Sequence, residues 1–136
     1  MRYLGLDLGT KTLGISISDR TGIIATFYDS IRYEDESELI DYIKSIIEKE
    51  NIDILVLGLP KNMDGSLGFR AEETITFKEK LEKEIDKEVV LEDERLTTKV
   101  ATDVLIDADL SRAKRKKVVD GVSAVIILQG YLDRKE

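Results

Sequence analysis

The chain lacks two side chains on which many enzymes rely, since its 136 residues include no histidine and no cysteine. Histidine is the commonest general base and metal ligand, and cysteine forms disulfides and thiolate metal sites. Any catalysis must therefore use carboxylates, lysines, hydroxyls or a metal ion held by oxygen ligands. Suitable carboxylates occur at three separate places, namely Asp7, residues 92–94 and Asp120.

Asp7 begins the segment DLGTK, residues 7–11, near the end of a predicted strand. It shares a strand face with Gly5, and Thr10 and Lys11 add a hydroxyl and an amine to the turn that follows. Glycine at such a turn lets a phosphate approach the backbone closely. The alternative is an aspartate that only shapes a tight hairpin, and related strings also occur in sugar kinases and actin-like ATPases. The segment favours phosphate chemistry without identifying the class of enzyme.

Asp120 belongs to a predicted helix that is apolar on nearly every side over residues 118–128, which indicates a buried helix. It shares a face with Ala124 and Ile127. A buried carboxylate is costly unless it is paired, hydrogen-bonded or bound to a metal ion. The alternative to a catalytic role is an ion pair with one of the lysines at 116–117, one turn earlier.

The segment EDERLTT, residues 92–98, places Glu92, Asp93 and Glu94 directly after the predicted strand Val89–Leu91. One or two carboxylates therefore stand at a strand end. Taken by itself, the segment is better explained as a solvated charge run before a helix that a threonine caps.

The segment GLPKNMDGSLG, residues 58–68, follows the predicted central strand at its carboxyl end, where α/β sheets usually bind ligands. Lys61 and Asn62 could contact a phosphate or a base there. A simple turn built on Asp64–Gly65 explains the segment equally well.

The segment SRAKRKK, residues 111–117, carries five basic residues and is called the basic segment below. It is either a solvated charge run or a source of cations beside Asp120. The net charge of the chain is −7, which opposes binding to nucleic acid. Binding depends on the local field, however, and many of the acids lie in two predicted surface helices, over 34–50 and 72–88.

These residue types suit the hydrolysis of a phosphodiester. That reaction needs an activated water and stabilisation of a charged transition state, and two metal ions about 4 Å apart supply both. Magnesium prefers a few carboxylates together with water and phosphate oxygens. Acids from distant positions of a chain without histidine or cysteine are compatible with such a site.

The predicted elements that position these residues follow the order β-β-β-α-β-α-β-α-α. Alternation predicts strands over 3–8 and 13–18, and a third strand from Ile23 to about Ile31. Helical spacing after candidate caps at Asp35 and Ser37 predicts the first helix. Later segments predict strands at Ile54–Leu57 and Val89–Leu91. Three more helices are predicted, over 69–85, after Thr97 or Thr98, and from about Lys116 to Leu132. The result is an α/β fold with a mixed five-stranded sheet, three antiparallel strands and then βα crossovers, flanked by helices.

The bulk composition predicts one domain over residues 1–136, with 42% hydrophobic residues to form its core. Asp7, with Gly5 and Gly9, interrupts the N-terminus too early for a signal peptide, and no apolar run approaches the about 18 residues of a membrane span. We expect a cytoplasmic protein without a membrane partner.

Four motifs together resemble the YqgF/RuvX family: DLGTKTLG, GLPKNMDG, DERLTT and KVVDGVSAVIIL. They occur in the family's order and cover essentially the whole chain. The resemblance implies a ribonuclease-H-like fold related to RuvC resolvases. It also implies a nuclease, since the family is described as resolving Holliday junctions and as maturing the 5′ end of the 16S ribosomal RNA precursor.

Carried onto this chain, the resemblance implies a catalytic set of Asp7, Asp120 and an acid of the DER motif, Glu94 in preference to Asp93. Asp7, Glu94 and Asp120 would hold Mg²⁺ or Mn²⁺. We expect the nucleic acid to be bound by Thr10, Lys11, Lys61, Asn62, Arg70, Arg95, Arg112, Lys114 and Arg115. The chain departs from the family at Thr12, where the family usually has arginine, which would weaken a phosphate contact and leave the carboxylates intact.

Two other classes of function compete with this interpretation. An actin-like ATPase encloses its nucleotide between two domains, and a chain of 136 residues lacks the second. A binding module that does not cut would have no need of Asp7 and Asp120. We expect precursor ribosomal RNA as the substrate in preference to a branched DNA, and a monomer or weak dimer, because the predicted surface helices are charged.

Overall fold

Within the described part of the chain, five strands form one sheet in the computed structural model, in the order β3-β2-β1-β4-β5. The structure describes residues 1–60, 66–93 and 112–135, and of residues 112–121 it describes the backbone only. The strands are β1 (Tyr3–Leu8), β2 (Thr12–Ser18), β3 (Ala25–Arg32), β4 (Ile54–Leu59) and β5 (Glu88–Asp93). β1, β2 and β3 form an antiparallel meander, whereas β4 and β5 run parallel to β1. The predicted mixed sheet is confirmed.

β3 begins at Ala25, two residues later than predicted, because Asp19 engages the preceding amides. Its Oδ1 accepts hydrogen bonds from the backbone N–H groups of Ile24 at 2.9 Å and Ile23 at 2.8 Å. These bonds hold the pKa of the Asp19 carboxyl well below its ordinary value. Both amides are thus used in the turn and not in the ladder with β2.

Three helices belong to the described residues: α1 (Glu36–Glu50), α2 (Phe69–Glu84) and α3 (Arg112–Arg134). Asp35 is the N-cap of α1, with its Oδ1 accepting from the Ser37 amide at 2.8 Å. Of the two predicted caps, Ser37 is wrong, since it lies in the first turn of the helix. The helix predicted after Thr97 or Thr98 lies outside the described residues, and α3 extends beyond both of its predicted ends.

The sheet has a hydrophobic cluster on each face, and β1 contributes to both. Leu4, Leu6 and Leu8 pack with apolar side chains of α1 and α2, such as Ile43 and Phe77. The alternate residues of β1 face α3, where Tyr3 and Val56 pack with Ile127, Leu128 and Leu132. The alternation predicted for β1 is confirmed, and it assigns Asp7 to the α3 face.

Where its side chains are described, over residues 122–134, α3 is buried on one side, so the predicted buried helix is buried on one face only. Ala124 and Ile127 are buried as predicted, whereas Val125 and Ile126 are half-exposed. The helix packs against the sheet with a single face, so a continuous apolar run here does not mean complete enclosure. No described helix combines the length and apolar character that crossing a membrane requires.

Candidate active site at the end of strand β1

Asp7 is the next-to-last residue of β1 and lies opposite Gly14 of β2. Its side chain is half-buried, on the same face of the strand as Tyr3 and Gly5. A half-buried carboxylate at a strand end, under a helix, is accessible to a ligand and still held by the protein. The predicted location of Asp7 at a strand end is confirmed.

Gly5 allows α3 to approach β1 closely, two residues before Asp7. A Cβ atom at Gly5 would lie 2.2 Å from Oγ of Ser16, 2.8 Å from Cβ of Leu128 and 3.1 Å from the carbonyl oxygen of Ala124. Ser16 in turn donates a hydrogen bond to that Ala124 carbonyl at 2.7 Å. The absence of a side chain at position 5 therefore fixes the distance between helix and sheet.

The contacts along α3 show the direction in which the helix crosses β1. Its C-terminal end lies over the start of the strand, where the rings of Tyr131 and Tyr3 are 5.7 Å apart between centroids. Ala124 lies over Gly5, farther along the strand. The helix is therefore antiparallel to β1, and its earlier residues, the backbone at 112–121, lead towards the end of β1 at which Asp7 lies.

A second carboxylate, Glu92, stands in register with Asp7 on the face of α3. Leu6 pairs with Leu57, so the next row across the sheet contains Asp7 and Gly58, and Gly58 pairs with Glu92. Glu92 is only 4% exposed and forms an ion pair with Arg134. In the sequence, Glu92 belongs to a charge run at a strand end. Its alternation with Leu91 puts it on the opposite face from Leu91, but no local pattern shows that α3 covers that face.

Asp93 lies on the opposite face of β5 from Glu92. It follows Leu91 at the two-residue spacing of a strand, and Val89 and Leu91 pack towards α1 and α2. Asp93 is therefore on the other side of the sheet from Asp7, although both residues stand near strand ends. Glu94, the preferred acid of the DER motif, lies outside the described residues.

The turn after Asp7 is held by hydrogen bonds to its backbone. The amide of Gly9 donates to the carbonyl of Thr12 at 2.7 Å, which closes the turn. The hydroxyl of Tyr33 donates to the carbonyl of Gly9 at 3.0 Å, and Nη2 of Arg70 donates to the carbonyl of Leu8 at 3.1 Å. Tyr33 was missed from the sequence, because no local pattern connects the end of β3 to this turn.

Burial raises the pKa of the Tyr33 phenol, and the nearby Glu36 and Glu73 carboxylates raise it further, against a smaller opposing effect of Arg70. The hydroxyl therefore keeps its proton at neutral and moderately alkaline pH. It remains a hydrogen-bond donor to the Gly9 carbonyl throughout that range.

The predicted nucleic-acid contacts divide into three groups. Thr10, Lys11 and Arg70 are exposed and flank the end of β1. Arg112, Lys114 and Arg115 are in the first turn of α3. As for Asp120, further along the helix, only their backbone is described. Lys61, Asn62 and Arg95 lie outside the described residues.

Ion pairs and exposed acids concentrate on the other side of the sheet, on α1 and α2. Lys80 binds Glu36 at 2.7 Å, and Lys44 lies 3.5 Å from Glu84. These pairs join the two helices far from the face that α3 covers. The sheet separates most of this acidic surface from Asp7, while Glu36 and Glu73 approach the turn after Asp7 at Tyr33.

The donor set fits a hard divalent cation. In the part of the chain that the structure describes, no three acidic side chains converge on one point. Of the proposed ligands, only Asp7 has a described side chain, and it is a carboxylate at the accessible end of a strand. A chain without histidine or cysteine can offer only oxygen ligands, which magnesium and manganese accept.

Comparisons with known proteins identify a family for nearly the whole chain. A family model described as "RuvX: Holliday junction resolvase" matches residues 1–134. A protein of Halalkalibacterium halodurans is 49% identical over 138 residues, covering 100% of this chain and 99% of its own length. One of Bacillus cytotoxicus is 48% identical, with coverage of 99% and 100%. Both are named "Putative pre-16S rRNA nuclease".

Solved structures support the fold. RuvC of T. thermophilus in complex with a Holliday junction substrate superimposes with a TM-score of 0.61 at 10% identity, covering 100% of this chain and 98% of that chain. The resolvase of Fowlpox virus in complex with Holliday junction DNA has a TM-score of 0.57 at 15% identity, covering 98% and 97%. The fold is therefore the ribonuclease-H-like fold of the RuvC resolvases, as predicted.

Proposed function

The chain belongs to the RuvX family, and on this premise we propose that it is a metal-dependent endonuclease acting on the precursor of 16S ribosomal RNA. Asp7, Glu94 and Asp120 form its catalytic set, on one domain spanning residues 1–136. The proposed substrate places the protein in the cytoplasm.

One observation carries the proposal, namely the contact between Gly5 and Ala124. Asp7 is two residues beyond Gly5, an advance of about 6 to 7 Å along a strand. Asp120 is four residues before Ala124, an advance of about 6 Å along a helix in the same direction. Asp7 shares its strand face with Gly5, and position 120 precedes position 124 by about one helical turn. This spacing supports a joint site for two acids that are far apart in the sequence.

The three carboxylates would hold one or two divalent ions between β1, α3 and the segment after β5. When bound, such ions activate a water molecule and offset the charge that develops on the phosphoryl group. The residues of the chain provide the placement. Asp7 is fixed by the strand, Asp120 belongs to the helix packed over it, and Glu94 continues the chain past β5.

Cationic side chains near the end of β1 would orient the phosphate backbone. Lys11 and Arg70 are exposed there, and the Nη2 bond from Arg70 to Leu8 leaves other guanidinium N–H groups able to donate. The basic segment leads into α3 ahead of Asp120 and adds further positive charge. Positive charge at these places counteracts the repulsion expected from a net charge of −7.

Holliday-junction resolution is the second candidate, favoured by the family description and by the fold of RuvC. Resolving a junction takes two matched cuts, which favours a two-fold dimer with two active sites. Maturation of an RNA end takes single cuts and needs no dimer. The names of close relatives favour the RNA substrate.

The test is cleavage by the purified full chain of a precursor 16S RNA fragment and of a four-way DNA junction, each with Mg²⁺, with Mn²⁺ and with chelator. We expect metal-dependent cleavage of the RNA. Asp7→Asn should abolish it and leave the fold intact, because the amide keeps the shape of the side chain and removes the charge that would hold a metal ion.

The matched control is Asp53→Asn. Asp53 is also an aspartate at a strand terminus and accepts from the Arg2 amide at 2.9 Å, but it precedes β4, at the opposite end of the strands from Asp7. This variant should cut normally. Paired nicks in the junction without RNA cleavage would favour the resolvase, and unchanged turnover by Asp7→Asn would refute the site.

A further inference from the structure

The backbone carbonyls of residues 8–11, which follow Asp7, each have a polar partner outside β1. Arg70 donates to Leu8, and the Tyr33 hydroxyl donates to Gly9 at 3.0 Å and lies 3.4 Å from the carbonyl of Thr10. The backbone N–H of Tyr33 donates to Lys11 at 2.9 Å. Tyr33 thus contacts three consecutive residues of the turn.

The backbone of Tyr33 is held between two elements, the end of β3 and the start of α1. It directly follows β3, whose last residue, Arg32, pairs with Thr12, and it stands two residues before Asp35, the N-cap of α1. Its side chain is half-buried. A group held between a strand end and a helix cap is a rigid support for the turn that it contacts.

We propose that the Tyr33 hydroxyl is a positioning group for the active site: by holding the Gly9 carbonyl, it fixes the turn that carries Thr10 and Lys11 and the strand end that carries Asp7. The inference rests on the proposed nuclease function. The hydrogen bonds of Tyr33 to the turn are made to backbone carbonyls, so Tyr33 acts through the backbone of the turn. Groups hydrogen-bonded directly to a metal ligand change metal affinity or activity by about 10- to 100-fold when removed, and Tyr33, which acts through the backbone, is expected at the lower end of that range.

The alternative is that Tyr33 only stabilises the fold, and Tyr42 provides the matched control. Tyr42 is likewise half-buried, has a pKa raised by burial, and donates its hydroxyl to a neighbouring element, to Oδ2 of Asp29 at 2.9 Å. Asp29 is in β3, paired with Ile15 and away from the turn. Tyr42→Phe therefore removes an equivalent hydroxyl without touching the site.

The experiment compares the wild-type full chain with Tyr33→Phe and Tyr42→Phe, well below the unfolding midpoint of each. Free Mn²⁺ is followed by electron paramagnetic resonance in the absence of substrate, and RNA cleavage is measured against Mg²⁺ concentration. We expect Tyr33→Phe to weaken Mn²⁺ binding and lower kcat/KM by about tenfold, consistent with the sensitivity of catalysis to small misplacements. Tyr42→Phe should lower the melting temperature at least as much and leave both readouts unchanged.

Equal Mn²⁺ binding and cleavage by the two variants would overturn the positioning role while leaving the proposed nuclease intact. A wild-type chain that neither binds Mn²⁺ nor cuts RNA would refute the proposed function, and the role of Tyr33 with it. Should Tyr33→Phe melt too low for the assay, Tyr33→Trp, whose indole N–H donates but does not bind metal ions, should restore Mn²⁺ binding in part. A folded Tyr33→Trp with no better binding than the donor-free Tyr33→Leu would also contradict the proposal.

Discussion

At the scale of single residues, the carboxylates near Asp7 are distinguished by the face of the sheet on which they lie. Glu92 is on the same face and in the same row as Asp7, but it is buried and paired with Arg134. Asp93 is on the opposite face. A carboxylate that a salt bridge already engages is a poor candidate for a metal ligand. These placements support Glu94 as the third acid of the proposed site.

We predict that Glu94→Gln abolishes cleavage, whereas Asp93→Asn retains most of it. The reason is that Asp93 lies on the opposite face of the sheet from Asp7 and cannot share an ion with it, so the proposed site takes its third acid from Glu94. Single-turnover cleavage with saturating Mg²⁺ is the measurement, with circular dichroism as the control for folding. The reverse order of activities would make Asp93 the ligand and would require a rearrangement at the end of β5.

At the scale of elements, the spacing between α3 and β1 is the feature on which the proposed site depends most. Gly5 has no room for a side chain beneath Ala124 and Leu128. Since α3 also carries Asp120, anything that lifts the helix from the sheet changes the separation of Asp7 and Asp120.

We predict that Gly5→Ala destabilises the fold by about 1–3 kcal/mol, as overpacking typically does, and lowers cleavage beyond the loss of folded protein. Gly130→Ala is the control, because its Cβ would meet Oε2 of Glu92 only at an ordinary 3.4 Å. That variant adds helix propensity of up to about 1 kcal/mol and should stay active. Denaturant unfolding and cleavage rates test the pair, and a fully active Gly5→Ala would show that the site tolerates movement of α3.

The basic segment is the second element with a predicted role. Replacing Arg112, Lys114 and Arg115 by glutamine should weaken RNA binding. It should also reduce the slope of the log binding constant against log salt concentration by up to about 2, because each of three phosphate contacts to a single strand contributes roughly 0.7. The control replaces Lys78, Lys80 and Lys83 of α2, which gives the same change in net charge. Equal slopes for the two variants would move the binding surface elsewhere, with Lys61 and Arg70 the next residues to test.

At the scale of the whole molecule, the described acids and ion pairs of α1 and α2 concentrate charge on one face of the sheet. α1 and α2 present exposed acids and salt bridges such as Lys78–Glu82, and they cover the larger hydrophobic cluster. A charged surface of this kind is a poor dimer interface, because stable dimers usually bury an apolar patch. The expectation of a monomer or weak dimer follows from this distribution.

We predict that the chain sediments as a monomer at micromolar concentration, and that it unfolds in one cooperative transition as a single domain. Sedimentation velocity across a range of concentrations, with and without RNA, tests the first part, and calorimetry the second. A tight dimer that makes symmetric nicks in a four-way junction would contradict both the monomer and the choice of substrate.

Much of the local structure could be predicted from the sequence, because it depends on neighbouring residues. The alternation in β1 assigned Asp7 to one face, and Asp35 marked the start of α1. The absence of histidine and cysteine restricted the chemistry to oxygen ligands. Errors arose where a side chain competed with local periodicity, as when Asp19 captured the amides of Ile23 and Ile24 and delayed β3.

Tertiary structure decided what depends on long-range packing. The contact of Ala124 with Gly5, the hydrogen bond from Tyr33 to Gly9 and the burial of Glu92 under α3 each join residues that no local pattern relates. Periodicity specifies which face of an element is apolar, but not which element covers that face or how closely. The sequence by itself therefore determined which residues could do the chemistry. The packing of α3 on the sheet decided which part of that helix lies towards the end of β1.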